Sequence, residues 1–373
     1  MECSSIPEVD YRKFSDDIHS KVVAKRIPLD GTIEITYRCN LNCVHCYCNL
    51  AASNKVAARK ELNYEEICDI IDQVVEQGCL WLLFTGGEPL IRKDFIDIYT
   101  YAKKKGLIII LFTNGTLITP EIANYLKEWP PFSVEISLYG ITKETYESVT
   151  RTRGSFDRCI EGIHLLLEKK IPLKLKTTVM TINLHEIWDI KRYAHNLGLD
   201  FRFDPIINPR LDGDKQPCQY RIAPQEVVKL DLKDKDRLRE WKEFCEKFLG
   251  PGNPEIIYNC GAGLASFHID PYGKLQICGM VKNPNFNLKQ GKFRGGWYNL
   301  FPEIRAQKPK SEYNCARCDL FSLCDQCPGW AQLENNNIEM PVKYLCQIAH
   351  LRAEAFGIKE VRKNPKEIKE AIS

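Results

Sequence analysis

The sequence predicts an α/β fold built on parallel strands, followed by a smaller cysteine-rich unit. Three observations carry this. Short apolar β runs alternate with amphipathic helical stretches from Gly31 to about residue 205. The connections between those runs are helix-length rather than hairpin-length. Seven cysteines then crowd between Cys260 and Cys346. Connections long enough to hold a helix join parallel neighbours through right-handed crossovers.

In chain order, residues 1–30 form a polar N-terminal segment with a short helix from Tyr11 to Lys25. Strands are expected at 31–37, 80–85, 107–112, 133–138, 173–179 and 200–204. Helices are expected at 63–78, 93–105, 119–128, 142–150, 156–169 and 186–197. Six such repeats are too few for a closed eight-stranded barrel. Residues 206–258 read as a bridge: Asn208 to Asp214 is turn-rich, and Lys229 to Arg239 is a dense mixed-charge run with the character of a solvated helix face. Residues 259–350 form the cysteine-rich domain. Residues 351–373 complete a lysine-rich C-terminal helix that starts near Ala349.

The 373 residues carry 52 basic and 49 acidic side chains, a net charge of +3, which gives no argument for nucleic acid or a membrane surface as partner. The first residues hold no apolar signal core, and the longest apolar runs, 80–84 and 107–112, are far too short to span a bilayer. Seventeen cysteines in a chain without a signal peptide, clustered in C-x2-C patterns, point to metal sites in a reducing cytoplasm rather than to disulfides.

The first constellation is Cys39, Cys43 and Cys46, a C-x3-C-x2-C loop after the first strand. Three thiolates on one loop can hold three corners of an iron–sulfur cube and leave one iron open. A zinc site would favour C-x2-C pairs and a fourth protein ligand. The unusual residues that follow fall at the ends of successive strands: Gly86-Gly87-Glu88-Pro89 after the second, Thr113-Asn114-Gly115 after the third, Ser137 at the end of the fourth. Active sites of parallel α/β barrels gather at that edge.

These residues resemble the radical S-adenosylmethionine (SAM) superfamily. The resemblance implies a partial (β/α)6 TIM-type barrel, open on one side for substrate. It implies a 4Fe–4S cluster on Cys39, Cys43 and Cys46 whose open iron chelates SAM and whose electron splits it to a 5′-deoxyadenosyl radical. His45 matches the position packed near the adenine. Gly86, Gly87, Glu88 and Pro89 match the motif that binds the SAM amino group, with Asn114 close by. Ser137 matches a ribose contact, and one of Arg151 and Arg153 the SAM carboxylate contact. The stretch from Thr177 to Asn183 matches the family's adenine-contacting segment.

The second constellation is Cys260, then Gly273 and Cys278, then Cys315-x2-Cys318-x5-Cys324-x2-Cys327, then Cys346. On spacing alone a pair of zinc sites is the alternative. The pattern resembles the SPASM extension, which implies two auxiliary 4Fe–4S clusters. Carried over by position, Cys260, Cys278 and Cys327 serve the first, and Cys315, Cys318, Cys324 and Cys346 the second. The family usually has x3 where this chain has x2 before Cys327. A further Cys before Cys260 is missing, so the fourth ligand of the first auxiliary cluster is Cys245, Cys218 or an open position. Cys48, Cys68, Cys79 and Cys159 read as structural thiols. Gly279 stands where sulfatase-maturating relatives carry an Asp base, which argues against formylglycine formation.

The resemblance implies a peptide maturase acting on a peptide or protein side chain or Cα, with a flavodoxin or ferredoxin as electron donor. Its alternatives are a small-molecule enzyme acting on a tetrapyrrole or sugar, and a non-catalytic iron–sulfur carrier. The stretch before Gly31 is too short for a winged-helix leader-binding domain, so a leader-bearing substrate would need a separate leader-binding protein, the alternative being a short peptide that enters the open side of the barrel unaided.

Overall fold

A computed structural model describes residues 11–48, 50–310 and 313–358. Cys3 and the end of the expected lysine-rich helix, from residue 359, lie outside the described residues. The expected first helix is present as Tyr11–Lys25. Six strands follow at the expected places: β1 (Asp30–Thr36), β2 (Trp81–Gly86), β3 (Ile108–Thr113), β4 (Ser133–Ser137), β5 (Leu173–Thr178) and β6 (Asp200–Asp204). Each pairs in parallel with the next. β6 does not return to β1, so the barrel stays open.

The alternation of side chains explains why these runs are strands. Ile33 and Ile35 of β1, Leu82 and Phe84 of β2, and Ile109 and Leu111 of β3 are buried against helix residues such as Ile71, Ile98 and Tyr99. Their neighbours Glu34, Thr85 and Glu135 are polar and face the other side of the sheet. The helices begin on side-chain caps: Asn63 with Glu66 forms a capping box for Tyr64–Glu76, and Thr119 and Thr142 cap Pro120–Glu128 and Lys143–Thr150.

The sheet does not end with these six strands. Three short strands from the C-terminal part, β7 (Ser266–Ile269), β8 (Lys274–Gln276) and β9 (Phe286–Asn287), extend it beyond β1, in the order β9-β8-β7-β1-β2-β3-β4-β5-β6. β7 runs parallel to β1, with Asp30 opposite Ser266 and Ile33 opposite Ile269. The cysteine-rich region therefore shares a sheet with the barrel.

Two expectations are corrected here. The charged run from Lys229 to Arg239 is more than a solvated face. It spans the helices Pro224–Lys233 and Lys235–Phe248, and Asp231 and Asp234 within it are buried. Asp231 accepts from Arg237 (2.6 Å) and from Arg352 (2.9 Å), itself only 2% exposed. The C-terminal helix starts earlier than expected, at Lys343, and ends at Ala355. Gly357, at φ +68°, takes the left-handed conformation that stops a helix. No helix among the described residues is long and apolar enough to cross a membrane.

Candidate active site

The cysteine loop is held from three sides. Arg38, just before Cys39, donates from Nε and Nη2 to the two oxygens of Glu61 at 3.0 and 2.9 Å. The amides of Asn42 and Val44 donate to the carbonyls of Thr150 and Val149, both at 3.0 Å, at the end of the helix Lys143–Thr150. The start of that helix is pinned in turn by Glu186, which accepts from the amide of Ile141 and the hydroxyls of Thr142 and Thr145. Burial works against the Glu186 carboxylate, but these hydrogen bonds hold it below the usual carboxylate range.

The third side is the turn after β2. The amides of Gly87 and Glu88 donate to the carbonyls of Thr36 and Arg38 at 2.8 and 2.9 Å. Gly86 sits at φ +129°, and a Cβ there would lie 2.1 Å from the Thr36 carbonyl oxygen; at Gly87 it would lie 2.2 Å from that of Arg38. Only glycine permits this approach. Glu88 is fully buried. Its Oε1 accepts from the Thr113 hydroxyl (2.8 Å) and the Leu90 amide (3.1 Å), its Oε2 from the Asn114 amide (2.7 Å). The side chain thus braces the loop after β2 to the loop after β3. Burial pushes it up to about 7 in spite of these bonds.

Asn114 carries the brace to the thiols. Its Nδ2 lies 2.9 Å from Asn40 Oδ1 and 3.7 Å from Cys39 Sγ, which also receives the Leu41 amide at 3.4 Å. The His45 ring meets Tyr139 edge-on at 4.7 Å, and its Nδ1 has no partner among the described residues. Burial pulls His45 down to about 4, so the ring is neutral at physiological pH. Burial, then the Glu88 carboxylate, pushes the Cys39 thiol up to about 12. Ser137 ends β4, opposite Lys176 of β5. Arg151 closes the helix Lys143–Thr150 in a left-handed conformation and donates to Tyr220 Oη at 3.0 Å, while Arg153 is exposed.

The donor set fits an iron–sulfur cube. Three thiols share one loop, and an N–H group points at a cysteine sulfur, as cluster sites provide. Among the described residues no three His, Cys, Asp or Glu side chains close around a single ion. A cube keeps its thiolates on separate irons, further apart than one ion's shell.

The sequence pattern of the Radical SAM superfamily matches residues 33–194. An AdoMet-dependent heme synthase from Methanosarcina barkeri is 30% identical over 314 residues, 79% of this chain and 89% of the relative. The chain belongs to the radical SAM superfamily. The mycofactocin maturase MftC of Mycolicibacterium smegmatis is also 30% identical, over 80% of this chain and 77% of its own. Among solved structures, native anSMEcpe with bound AdoMet superposes with a TM-score of 0.66 at 20% identity, covering 92% of this chain and 99% of that one. Membership of the superfamily implies a 4Fe–4S cluster and SAM as cofactors.

Three groups next to this radical SAM site escaped the sequence reading. Cys48, read as a packing thiol, lies with its sulfur 3.8 Å from that of Cys46. Cys68, Cys79 and Cys159 are buried. Glu34 of β1 is 1% exposed and accepts from Tyr47 Oη at 2.6 Å, with His268 Nε2 at 2.9 Å from its other oxygen. Burial opposes its charge, yet His268, Lys282 and Tyr47 hold it below the usual range. The amino group of Lys282 bonds Tyr37 Oη. A polar residue between Ile33 and Ile35 was the available signal. A Cβ at Gly279 would lie 3.1 Å from the His268 ring.

The C-terminal thiols fall into two groups by mutual electrostatic influence. Cys278 feels Cys327 and Cys260, and Cys327 feels Cys260. Cys315 feels Cys346 and Cys318, and Cys324 and Cys346 act on each other. Cys245 packs with Leu320, Leu323, Cys318 and Cys324, beside the second group. The charged neighbours of Cys218 are Arg221, Glu334 and Lys215. A cavity of about 770 Å³, lined by Trp241, Phe244, Phe248, Cys260, Cys324 and Cys327, opens beside both groups.

Proposed function

We propose that this radical SAM enzyme is a peptide maturase whose C-terminal region holds two auxiliary 4Fe–4S clusters. The observation that carries the reading is the joining of three strand ends at one point: the Cys39–Cys46 loop, the Gly86–Pro89 turn and Asn114 are tied by direct hydrogen bonds. Cys39, Cys43 and Cys46 hold the first cluster. Gly86, Gly87, Glu88 and Pro89, with Asn114, His45, Ser137 and one of Arg151 and Arg153, hold SAM. When bound, these cofactors supply a carbon radical that takes hydrogen from the substrate. The chain orients the reacting groups and excludes water. Cys260, Cys278 and Cys327 serve one auxiliary cluster, and Cys315, Cys318, Cys324 and Cys346 the other. The fourth position of the first is Cys245, Cys218 or open to a non-protein ligand.

Maturase relatives support a peptide substrate, and the superposition on SAM-bound structures supports the barrel as its site. A flavodoxin or ferredoxin donates the electron, a separate protein presents the leader, and the enzyme works in the cytoplasm. A second reading, chemistry on a tetrapyrrole, is favoured by one observation: the heme synthase relative is matched over 89% of its own length. The test supplies the reduced enzyme with SAM and either a short peptide encoded beside its gene or an iron porphyrin. Release of 5′-deoxyadenosine coupled to a mass change on the peptide is expected. The same coupling on the porphyrin alone would replace the first reading by the second.

A further inference from the structure

A buried carboxylate–imidazole pair lies beside the cysteine loop. Glu34 of β1 accepts from Tyr47 Oη at 2.6 Å, and His268 Nε2 of β7 lies 2.9 Å from its other oxygen. Tyr47 follows Cys46, and its hydroxyl also lies 3.4 Å from the Gly86 carbonyl. One side chain thus ties the pair to both the thiol loop and the glycine turn. A carboxylate only accepts, so the hydrogen of the neutral His268 ring sits on Nε2 and the lone pair on Nδ1. Nδ1 has no hydrogen-bond partner among the described residues. It faces Gly279, where a Cβ would lie 3.3 Å away. The next three residues, Met280, Val281 and Lys282, line a cavity of about 900 Å³ together with Tyr258 and Leu211, a size that suits a substrate site. Fastening β7 to β1 takes only Nε2. The free ring nitrogen is left for something else.

We propose that His268 is a catalytic residue: its Nδ1 accepts a hydrogen bond, and then the proton, from an N–H, O–H or S–H group of the substrate beside the reacting carbon. This rests on the reading that the enzyme makes a carbon radical on a peptide. Once a hydrogen atom has left that carbon, the radical becomes a closed-shell product by losing one electron and one proton. The bond between hydrogen and the N, O or S atom breaks, and a new bond from the carbon to that atom forms. The electron goes to an oxidised iron–sulfur cluster. The proton goes to Nδ1, and the Glu34 carboxylate stabilises the imidazolium that results. The substrate is oxidised by two electrons and loses two hydrogens. Loss of carbon dioxide in place of the proton needs no such acceptor.

The test has two arms. The first needs no substrate: histidine nitrogen NMR spectra of the oxidised, cluster-loaded enzyme, with His268→Gln to identify the signal. A neutral ring protonated on Nε2 is expected, and a neutral ring protonated on Nδ1 overturns the proposal. In the second arm the wild type and His268→Gln receive SAM, a reductant and the short peptide encoded beside the gene. Glutamine places an amide N–H where Nε2 stands, so it keeps the tie to Glu34 and removes the acceptor at Nδ1. The wild-type product should be lighter by two hydrogens. The variant should keep its iron and thermal midpoint, while product formed per 5′-deoxyadenosine falls about 100-fold. An unchanged ratio overturns the proposal, and so does a wild-type product formed by loss of carbon dioxide. If the glutamine variant loads less iron or melts earlier, Gly279→Ala sets a methyl against the His268 ring and covers Nδ1 with the dyad intact. The same fall is expected there, and an unchanged ratio again overturns the proposal. A wild type that modifies no peptide overturns the peptide-maturase reading, and the tautomer then decides this one.

Discussion

Glu88 offers the sharpest test of how the site is held. The carboxylate accepts three hydrogen bonds, from Leu90, Thr113 and Asn114, at 3.1, 2.8 and 2.7 Å. Bonds to a charged group are worth roughly 1.5–3 kcal/mol each. Burial outweighs them: with these bonds counted, the carboxyl still rises to about 7 from 4.5, so ionising it in the fold costs about 3 kcal/mol more than in the unfolded chain. Glu88→Ala leaves the buried Thr113 hydroxyl and Asn114 amide without their acceptor, which should cost about 1–3 kcal/mol for each in denaturant unfolding. The pH dependence has a definite sign. The folded acid holds its proton more tightly than the unfolded one. Its contribution is therefore fullest below about 4.5 and declines as the pH rises through about 7. Glu88→Gln, which cannot ionise, should lack that decline, so its deficit against the wild type should shrink from pH 5 to pH 8. SAM affinity should fall about ten- to hundred-fold in the alanine variant as Gly86 and Gly87 lose their support. An alanine variant with an unmoved unfolding midpoint, or a glutamine variant with the wild-type pH curve, would refute the reasoning.

Changing Cys39, Cys43 and Cys46 together to Ala should remove about four of about twelve irons and all 5′-deoxyadenosine formation, as iron analysis and chromatography would register. Arg352→Leu should cost about 3–5 kcal/mol, because Asp231 is buried and loses one of its two arginines; a urea midpoint measures it. Gly87→Ala forces a methyl within 2.2 Å of the Arg38 carbonyl. Calorimetry should find both a lower thermal midpoint and weaker SAM binding than in the wild type.

What could be read from the sequence divides along contact distance. β1 to β6 were legible because each is a short apolar run, such as Ile108–Thr113, or an alternating one, such as Leu173–Thr178, separated from the next by a helix. The loop thiols and the glycine turn were legible for the same reason, since their chemistry lies in local spacing. β7 to β9 were not. Their strands are two to four residues long, too short for any period to register, and β7 finds its partner across the whole barrel. The Glu34–His268 pair spans 234 positions. Asp231 looked solvated because its partner Arg352 is 121 residues away. Glu88 had the residue type of a ligand contact, and only the fold reveals that its oxygens also accept from Leu90, Thr113 and Asn114.

The parallel pairing of β1 with β7 has a consequence for how the protein is made. β1 lies near residue 30 and its second neighbour near residue 266. At a synthesis rate of roughly 5–20 residues per second, β1 waits on the order of ten to fifty seconds for that neighbour to be translated. Throughout that time one edge of the strand that leads into the cysteine loop has no partner. Ile33 and Ile35 lie along it, and bare apolar edges recruit other chains. Yield in the cell should therefore depend on what shields this edge until the last third of the chain arrives.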